Sequence, residues 1–366
     1  MRRADLERGA SRAAVLASLL TAGCGTIAPQ VAYPNVQAGG VVAQAPRAAA
    51  APGRPNPTLA GLHAADQRVA DVAYRIVTAN AALCSDVKPR TGLVLQTALQ
   101  YSPRVRAQAE RELRIGDAAS VDVVASGSPA AEAGLRSGDV LLAVDGQALS
   151  TGAASAPTAG ADERPATYAP VENAQAALDA ALAQGPVRLR VRRGAAELEV
   201  VVPRRIGCAY DAQVMPGSEL NASADGRHVF ISAALVDYAS SDDNLAVVLG
   251  HEFAHDVLHH RQREDEEGFA RGVLGQLGSS PASHMVAEKE ADYVGLYLAA
   301  RAGYDISGAP YFVGHIPTVA GDLGLTHPSN GEREAAVAAT RDEILTKRQR
   351  GEALIPTPAT ASMQAH

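Results

Sequence analysis

Charge of one sign is nowhere concentrated in this sequence, and cysteine is scarce. The 33 basic and 40 acidic residues leave a net charge of −7, without a long run of either sign. Nucleic acid and anionic membrane surfaces are usually bound by basic patches, so neither is expected as a partner. Only 3 cysteines are present. What the chain does have is 47% hydrophobic residues over 366 positions, which is enough for two packed domains with linkers.

The first 24 residues have the pattern of a targeting segment. Arginines precede the apolar run "AAVLASLLTAG", and Cys24 follows it. The run is too short for a membrane-spanning helix. Ala22 and Gly23 before Cys24 resemble the lipobox of bacterial lipoproteins, although Thr21 stands where leucine is usual. This resemblance implies cleavage of a signal peptide, acylation of Cys24, and a lipid anchor on the periplasmic side of the cell envelope, at the outer membrane. An ordinary cleaved signal peptide is the alternative.

Acylation of Cys24 would leave two cysteines, Cys84 and Cys208. An exported chain lies in an oxidising compartment, where two remaining cysteines can form a disulfide. The alternative is two buried thiols, because free cysteine commonly packs as a small apolar side chain.

Two segments precede the first domain that the sequence predicts. Residues 25–57 are rich in Pro, Gly and Ala and lack apolar periodicity, which is typical of a flexible linker. Residues 58–114 are expected to form a helical N-terminal segment. Between Leu59 and Leu83 apolar residues recur at helical spacing, which predicts an amphipathic helix ending near Cys84.

Residues 115–204 alternate short apolar runs with Gly, Ser and Pro turns, a pattern typical of strands. The stretch "PVRLRVRRGAAELEVVVPRR" predicts a hairpin turning at Gly194, and "VENAQAALDAAL" predicts a helix. The stretch "GSPAAEAGLRSGDVLLAVDGQAL" (127–149) resembles a PDZ domain of the bacterial protease type. The resemblance implies docking of an extended peptide as an added strand in a groove of this domain. The alternative is a spacer that binds nothing. The turn-rich insertion at 150–170 is expected to be a flexible loop.

Residues 205–350 form a second, mainly helical unit in this interpretation. A strand is predicted at the start of "RHVFISAALVDYA" (227–239), and helices are predicted over 241–261, 284–301 and 331–347. Residues 351–366 are expected to be a disordered tail.

The stretch "HEFAH" carries the chemistry of this second unit. His251 and His255 lie four residues apart, so a helix places both imidazoles on one face, where they can bind one metal ion. Glu252 is then placed as a general base that takes a proton from water and hands it to the leaving amine. The surrounding residues are apolar, which indicates a buried helix whose polar side chains need partners. A solvated surface helix is the alternative.

A catalytic zinc ion usually takes three protein ligands. The metzincin pattern would need glycine at 258 and histidine at 261, whereas the sequence has Leu258 and Arg261. A glutamate from a second helix is the remaining arrangement. Glu288 and Glu290 both lie in the next predicted helix, and only one can face the metal because residues two apart point in different directions.

The run "EKEAD" after HExxH resembles the HtpX and BepA group of gluzincin zinc metallopeptidases, metallopeptidase family forty-eight. The resemblance implies that Glu288 is the third zinc ligand and that Asp292 supports the site by accepting a hydrogen bond from a histidine. Glu290 is then expected to be a solvated charge. The segment "THPSNGERE" resembles the family's His-Pro segment, which implies that His327 either assists catalysis or occupies the open zinc position. A loop residue that caps the last helix is the alternative for His327.

Two further histidines follow the motif. Four residues of helix rise about 6 Å, so His259 would lie about 12 Å along the axis from His251 and could not easily share a metal with both ligands. Neither His259 nor His260 is expected to bind the metal or to take part in the site.

These expectations combine into an α+β fold, with an N-terminal PDZ-like, β-rich domain followed by a mainly helical zincin-type metallopeptidase domain with a short edge sheet. The expected function is a zinc-dependent endopeptidase of the bacterial cell envelope that degrades misfolded or misassembled envelope proteins. The expected partners are these polypeptides and an extended peptide at the PDZ groove, with the membrane contacted through the lipid anchor only. The alternatives are a non-proteolytic, chaperone-like assembly factor and hydrolysis of a non-peptide bond at the same zinc ion. No oligomeric state is predicted.

Overall fold

The computed structural model describes residues 57–149, 164, 166–270, 281–317 and 330–357. The targeting segment with Cys24, residues 25–56 of the linker, most of the 150–170 insertion, His327 and the last nine residues lie outside this range. Up to residue 202 the elements are α1 (Leu59–Ala79), β1 (Val87–Arg90), β2 (Leu93–Gln96), α2 (Pro103–Leu113), β3 (Ser120–Val124), α3 (Pro129–Glu132), β4 (Val140–Val144), β5 (Gln147–Ala148), α4 (Ala169–Gln184), β6 (Val187–Arg193) and β7 (Ala196–Val202).

The β-rich part of the chain is a six-stranded sheet. Its strand order is β2-β3-β4-β6-β7, with β5 paired to β4. The predicted hairpin of β6 and β7 is present, and Gly194 turns it with a φ of 60° that favours glycine. The predicted helix is α4, which buries Leu178 and Leu182 against the sheet. This half of the α+β fold is therefore a sheet whose apolar face is covered by helix α4.

The boundary expected at residue 115 comes too late for this sheet. The segment 58–114 is not purely helical, because it contains β1 and β2 and because β2 is an end strand of the six-stranded sheet. The four residues of β2, LVLQ, do not alternate between apolar and polar side chains, so they give no period-two signal. Gly92, with a φ of 79°, turns the chain into this strand, and a Cβ there would lie 2.2 Å from Cβ of Ser128.

The remaining elements build the helical half. They are β8 (Arg205–Cys208), β9 (Asp211–Met215), β10 (Ala222–Ala224), β11 (His228–Ser232), α5 (Ala233–Tyr238), α6 (Asp242–Val257), α7 (His260–Ala270), α8 (Pro281–Arg301), α9 (Ala309–Gly314) and α10 (Asn330–Gln349). A small sheet of order β10-β11-β9 lies beside the helices. The expected strand is β11, with Val229 and Ile231 fully buried and Phe230 on the other face.

Helices α6 and α8 cross at very short range. A Cβ placed on Gly250 would lie 2.5 Å from the carbonyl oxygen of Gly295. Only glycine at both positions permits this approach, because any side chain would meet the backbone of the other helix. The contact lies directly before His251, so it sets the distance between the two helices where the metal ligands are expected.

Helix α1 joins the two halves. On one side the His63 ring binds the Asp122 carboxylate of β3 at 2.7 Å. On the other side Arg68 donates to the carbonyl oxygens of Val236 and Ala239 at 2.9 Å. Of the two alternatives for the remaining cysteines, the disulfide is the one present, and Cys84 and Cys208 tie the chain after α1 to the end of β8.

The disordered tail expected from residue 351 is wrong for its first part. Arg301 donates to the carbonyl oxygen of Leu354 at 2.9 Å, and the Thr357 N–H donates to the Tyr293 hydroxyl at 3.0 Å. These residues form no regular element, but helix α8 binds their backbone. Within the described part of the chain, no helix has both the length and the apolar character needed to cross a membrane.

Candidate metal centre

Helix α6 begins with a strong N-terminal cap. The Ser241 side chain accepts from the Asn244 N–H, and Asp242 and Asp243 occupy the first turn, where negative charge is favourable. The helix then runs to Val257 and keeps His251 and His255 one turn apart on the same face. The sequence prediction for this helix is confirmed up to its last turn.

Three side chains point their ligand atoms at one small space. Nε2 of His251 lies 3.2 Å from Nε2 of His255. The two carboxylate oxygens of Glu288, on α8, lie 3.5 Å from these nitrogens. All three donor atoms fall within 4.8 Å of one another. The structure thus brings together the three residues that the sequence singles out as metal ligands.

His251 is supported by a carboxylate and an arginine. Its Nδ1 lies 2.9 Å from Oδ1 of Asp292, as expected. Arg333 of α10 donates to both oxygens of that carboxylate, at 2.9 and 2.6 Å. Burial alone would raise the pKa of Asp292, but the hydrogen bonds from Arg333 and His251 lower it to about 2. Burial also opposes charge on His251, yet its bonds to Asp292 and Glu288 raise its pKa.

His255 is supported by a different set of groups. Its Nδ1 lies 2.9 Å from Nδ1 of His260, and Nε2 of His260 lies 3.0 Å from Oε2 of Glu290. Arg263 donates to the same Glu290 oxygen at 2.7 Å. Burial, and then the charge of His251, lower the pKa of His255.

Two expectations about this region are therefore wrong. Glu290 is not a solvated charge, because it is partly buried and binds His260 and Arg263. His260 is not outside the site, because it is 3% exposed and contacts a proposed ligand. It is nevertheless not one of the converging donors, and His259 is not either. Helical periodicity could not reveal this contact, because the chain leaves the helix between His255 and His260.

Glu252 follows His251 on α6 and is half-buried. Burial opposes the charge of Arg333, but its hydrogen bond to Asp292 and the charges of Asp292, Glu288 and Glu252 raise its pKa. Glu252 therefore lies in the electrostatic field of the site. His327 is outside the described residues, and the arrangement above is built without it.

The donor set fits a zinc ion. Two imidazole nitrogens and one carboxylate are ligands that zinc commonly takes, and three protein ligands leave a position open for chemistry. Glu288 is 2% exposed, and a buried carboxylate beside two imidazoles is costly unless positive charge compensates it. The outer partners Asp292 and His260 leave each Nε2 free to face the shared space, which is how zinc-binding histidines are usually oriented.

Family comparisons agree with this geometry. Residues 183–274 match the model of Peptidase family M48, and residues 120–156 match that of a PDZ domain. The expected resemblance to metallopeptidase family forty-eight preceded by a PDZ domain is thereby confirmed. The M48 match contains His251, Glu252 and His255, and it ends before Glu288.

Individual relatives are distant. The chain is similar to the mitochondrial metalloendopeptidase OMA1 of Schizosaccharomyces pombe, with 28% identity over 151 residues. The match covers 34% of this chain and 44% of that relative, so the chain spans less than half of its length. Among solved structures it matches a crystal structure of the HtrA3 PDZ domain bound to a phage-derived ligand (FGRWV), with 19% identity and a TM-score of 0.23. That match covers 33% of this chain and 88% of the other.

Proposed function

We propose that this protein is a zinc-dependent endopeptidase whose metal ligands are His251, His255 and Glu288. The observation that carries the proposal is the convergence of these three side chains within 4.8 Å. The similarity of residues 183–274 to a metallopeptidase family supports it. The fit of the donor set to zinc favours this metal over magnesium or calcium, which prefer oxygen ligands.

The residues around the proposed zinc ion have different roles. Zinc bound there would act as a Lewis acid toward a peptide carbonyl and would make water a stronger acid. Glu252 is the general base in this proposal, and it takes the proton from water and passes it to the leaving amine. Asp292 holds the ring of His251 in place, and Arg333 keeps Asp292 ionised for that purpose.

The PDZ-like sheet supplies a place for an extended peptide. Strand β2 is an end strand of the sheet order, and helix α4 packs on the same sheet. A peptide that adds to an end strand gains backbone hydrogen bonds, and neighbouring side chains then select its sequence. We propose that this sheet binds segments of the substrate polypeptide.

The proposed substrates are misfolded or misassembled proteins of the bacterial cell envelope. Support for this location comes from the N-terminal sequence, where Cys24 follows a lipobox-like "TAG". The disulfide between Cys84 and Cys208 agrees with an oxidising compartment. In this proposal a lipid anchor on Cys24 holds the protein at the outer membrane, on the periplasmic side.

The test compares wild type with Glu252→Gln on an unfolded outer-membrane protein. The variant removes the base while leaving the three metal ligands in place, so the cleavage rate should fall by about 10²–10⁴-fold. Zinc content, measured in parallel, should stay unchanged. Asp237→Asn, at an exposed position of α5, is the matched control and should cleave at the wild-type rate.

Equal cleavage by wild type and Glu252→Gln would contradict the enzyme proposal. Zinc-bound wild type that binds the unfolded protein without cutting it would favour the chaperone-like assembly factor instead. Hydrolysis of small esters or amides, with no cleavage of the unfolded protein, would favour a non-peptide substrate.

A further inference from the structure

The turn between α6 and α7 has an unusual backbone conformation. His259 has a φ of 54°, in the left-handed region that L-residues other than glycine seldom adopt. Its ring is held there by Ser85, whose Oγ lies 2.8 Å from Nε2 of His259. Ser85 follows Cys84 of the disulfide. A strained residue fixed by its surroundings suggests that the resulting shape of the chain has a use.

The left-handed turn places His260 beside His255. In an uninterrupted helix two residues five apart point about 140° away from each other around the axis, so the rings could not meet. Here α6 ends at Val257 and α7 begins at His260. The new direction of the chain places the centroids of the two rings 4.8 Å apart, with the rings edge to face.

The hydrogen bonds of this turn form a chain of four residues, which we call the His260 relay: His255, His260, Glu290 and Arg263. If Nε2 of His255 binds the metal, Nδ1 of that neutral ring carries the proton and donates it. Nδ1 of His260 must then accept, so the proton of His260 lies on Nε2 and is donated to Glu290. Arg263 donates to the same carboxylate. Every atom in the relay has one consistent role.

We propose that His260 is a positioning residue, which fixes the tautomer and the ring orientation of His255 through the relay and thereby strengthens zinc binding. This inference rests on the proposed zinc site. The two metal-binding histidines would then be oriented by unlike partners, since a carboxylate backs His251 and a neutral imidazole backs His255. Partners of this outer kind typically change metal affinity by about 10–100-fold.

The burial of the relay argues that it is more than a surface contact. His260 is 3% exposed, and the Glu290 side chain is 15% exposed. Burying polar groups in this way costs free energy unless each is satisfied, and a network that is only partly satisfied is worse than an apolar core. The same contacts could serve only to hold α7 in place. The experiment therefore measures zinc affinity as well as folding.

The experiment measures zinc affinity of the full chain by competition with a chelator. His260→Phe keeps a ring but removes both hydrogen bonds, and it should weaken zinc binding by about 10–100-fold. His260→Gln can still accept from His255 and donate to Glu290, so it should recover affinity to within about threefold of wild type. His63→Phe removes a histidine that is also paired with a carboxylate, but in α1, and it should bind zinc like wild type.

Zinc affinity of His260→Phe equal to that of wild type would overturn the inference and leave the proposed zinc site intact. Wild type that binds no zinc would instead overturn the proposed function. If His260→Phe does not fold, nitrogen-15 NMR of the histidines in zinc-loaded wild type decides the matter. The relay requires a proton on Nδ1 of His255 and on Nε2 of His260, and any other assignment would contradict it.

Discussion

Two regions of the described chain hold buried or half-buried carboxylates near a histidine, and they differ in how the negative charge is compensated. One is the metal centre, where Asp292 lies between His251 and Arg333. The other is the contact of α1 with β3, which we call the α1–β3 junction, where the His63 ring binds Asp122 and the charge of Asp122 acts on Asp66. Burial alone would raise the pKa of both Asp292 and Asp66. The pKa is nevertheless lowered to about 2 for Asp292, whereas it is raised to about 7 for Asp66.

The cause of this difference is the supply of cations. Two hydrogen bonds from Arg333 and one from His251 outweigh the burial of Asp292. At the α1–β3 junction burial dominates for Asp66, and the neighbouring charge of Asp122 adds to it. His63 binds Asp122 but does not fully offset the burial of that carboxylate, whose pKa is also raised. The carboxylate of Asp292 beside the proposed metal site is therefore kept ionised, whereas burial favours the protonated forms of Asp66 and Asp122.

The largest effect on stability is expected from removing the positive charge of Arg333, which binds Asp292 in the metal centre. Arg333→Met keeps most of the side-chain volume but leaves Asp292 buried with His251 as its remaining partner. Breaking a buried ion pair from one side typically costs about 3–5 kcal/mol. Urea unfolding of the metal-free protein should show this loss in the free energy of unfolding.

A surface ion pair supplies the control for that variant. Arg341 binds the exposed carboxylate of Asp342 at 2.8 Å, and such pairs are worth about 0–1 kcal/mol. Arg341→Met should therefore change stability little. A loss no greater for Arg333→Met than for Arg341→Met would show that Asp292 does not depend on its cation.

A smaller effect of opposite sign is expected at the α1–β3 junction. The pKa of Asp66 is raised in the folded protein from 3.8 to about 7, so the folded state binds this proton more tightly than the unfolded state does. The resulting penalty is absent below pH 3.8, grows as the pH rises, and is complete above about 7. Asp66→Asn removes the charge and should stabilise the protein at pH 8 by about 1–2 kcal/mol, a gain reduced for partial exposure.

Melting curves from pH 5 to pH 8 test this prediction. The gain from Asp66→Asn should shrink as the pH falls, because wild-type Asp66 then becomes protonated. Asp237→Asn, at an exposed position of α5, is the matched control and should melt like wild type. A difference in melting temperature between Asp66→Asn and wild type that stays constant across this range would mean that burial does not raise the pKa of Asp66.

The same two regions differ in how much of them the sequence could predict. The helix with His251 and His255 has a cap, an apolar surround and helical spacing, so local patterns predicted it. Glu288 lies in a second predicted helix, but local patterns did not distinguish it from Glu290, and its assignment came from the resemblance to a family. The sequence did not predict the support from His260 and Glu290, because it depends on one left-handed residue, His259, whose position the apolar pattern of the helix does not indicate. The α1–β3 junction was missed as well, since it joins residues more than fifty positions apart.

The PDZ-like sheet and the tail also show that local patterns predict some elements and that tertiary contacts determine others. The hairpin of β6 and β7 follows from alternating residues and a turn glycine, whereas the residues of β2 do not alternate and give no strand signal. Residues 353–357 have the composition of a disordered tail. They are ordered because Arg301, Lys347 and Tyr293 bind their backbone, and these contacts are tertiary.

The most direct test of the account is the zinc content and zinc coordination of the full-length protein, measured by metal analysis and X-ray absorption for wild type and Glu288→Gln. The account predicts about one zinc ion per wild-type chain, bound by imidazole nitrogen and carboxylate oxygen. It predicts much weaker binding for Glu288→Gln, because a neutral amide is a poor substitute for the carboxylate. Zinc bound equally well by both proteins, or no zinc in wild type, would contradict the central claim that His251, His255 and Glu288 form a zinc site.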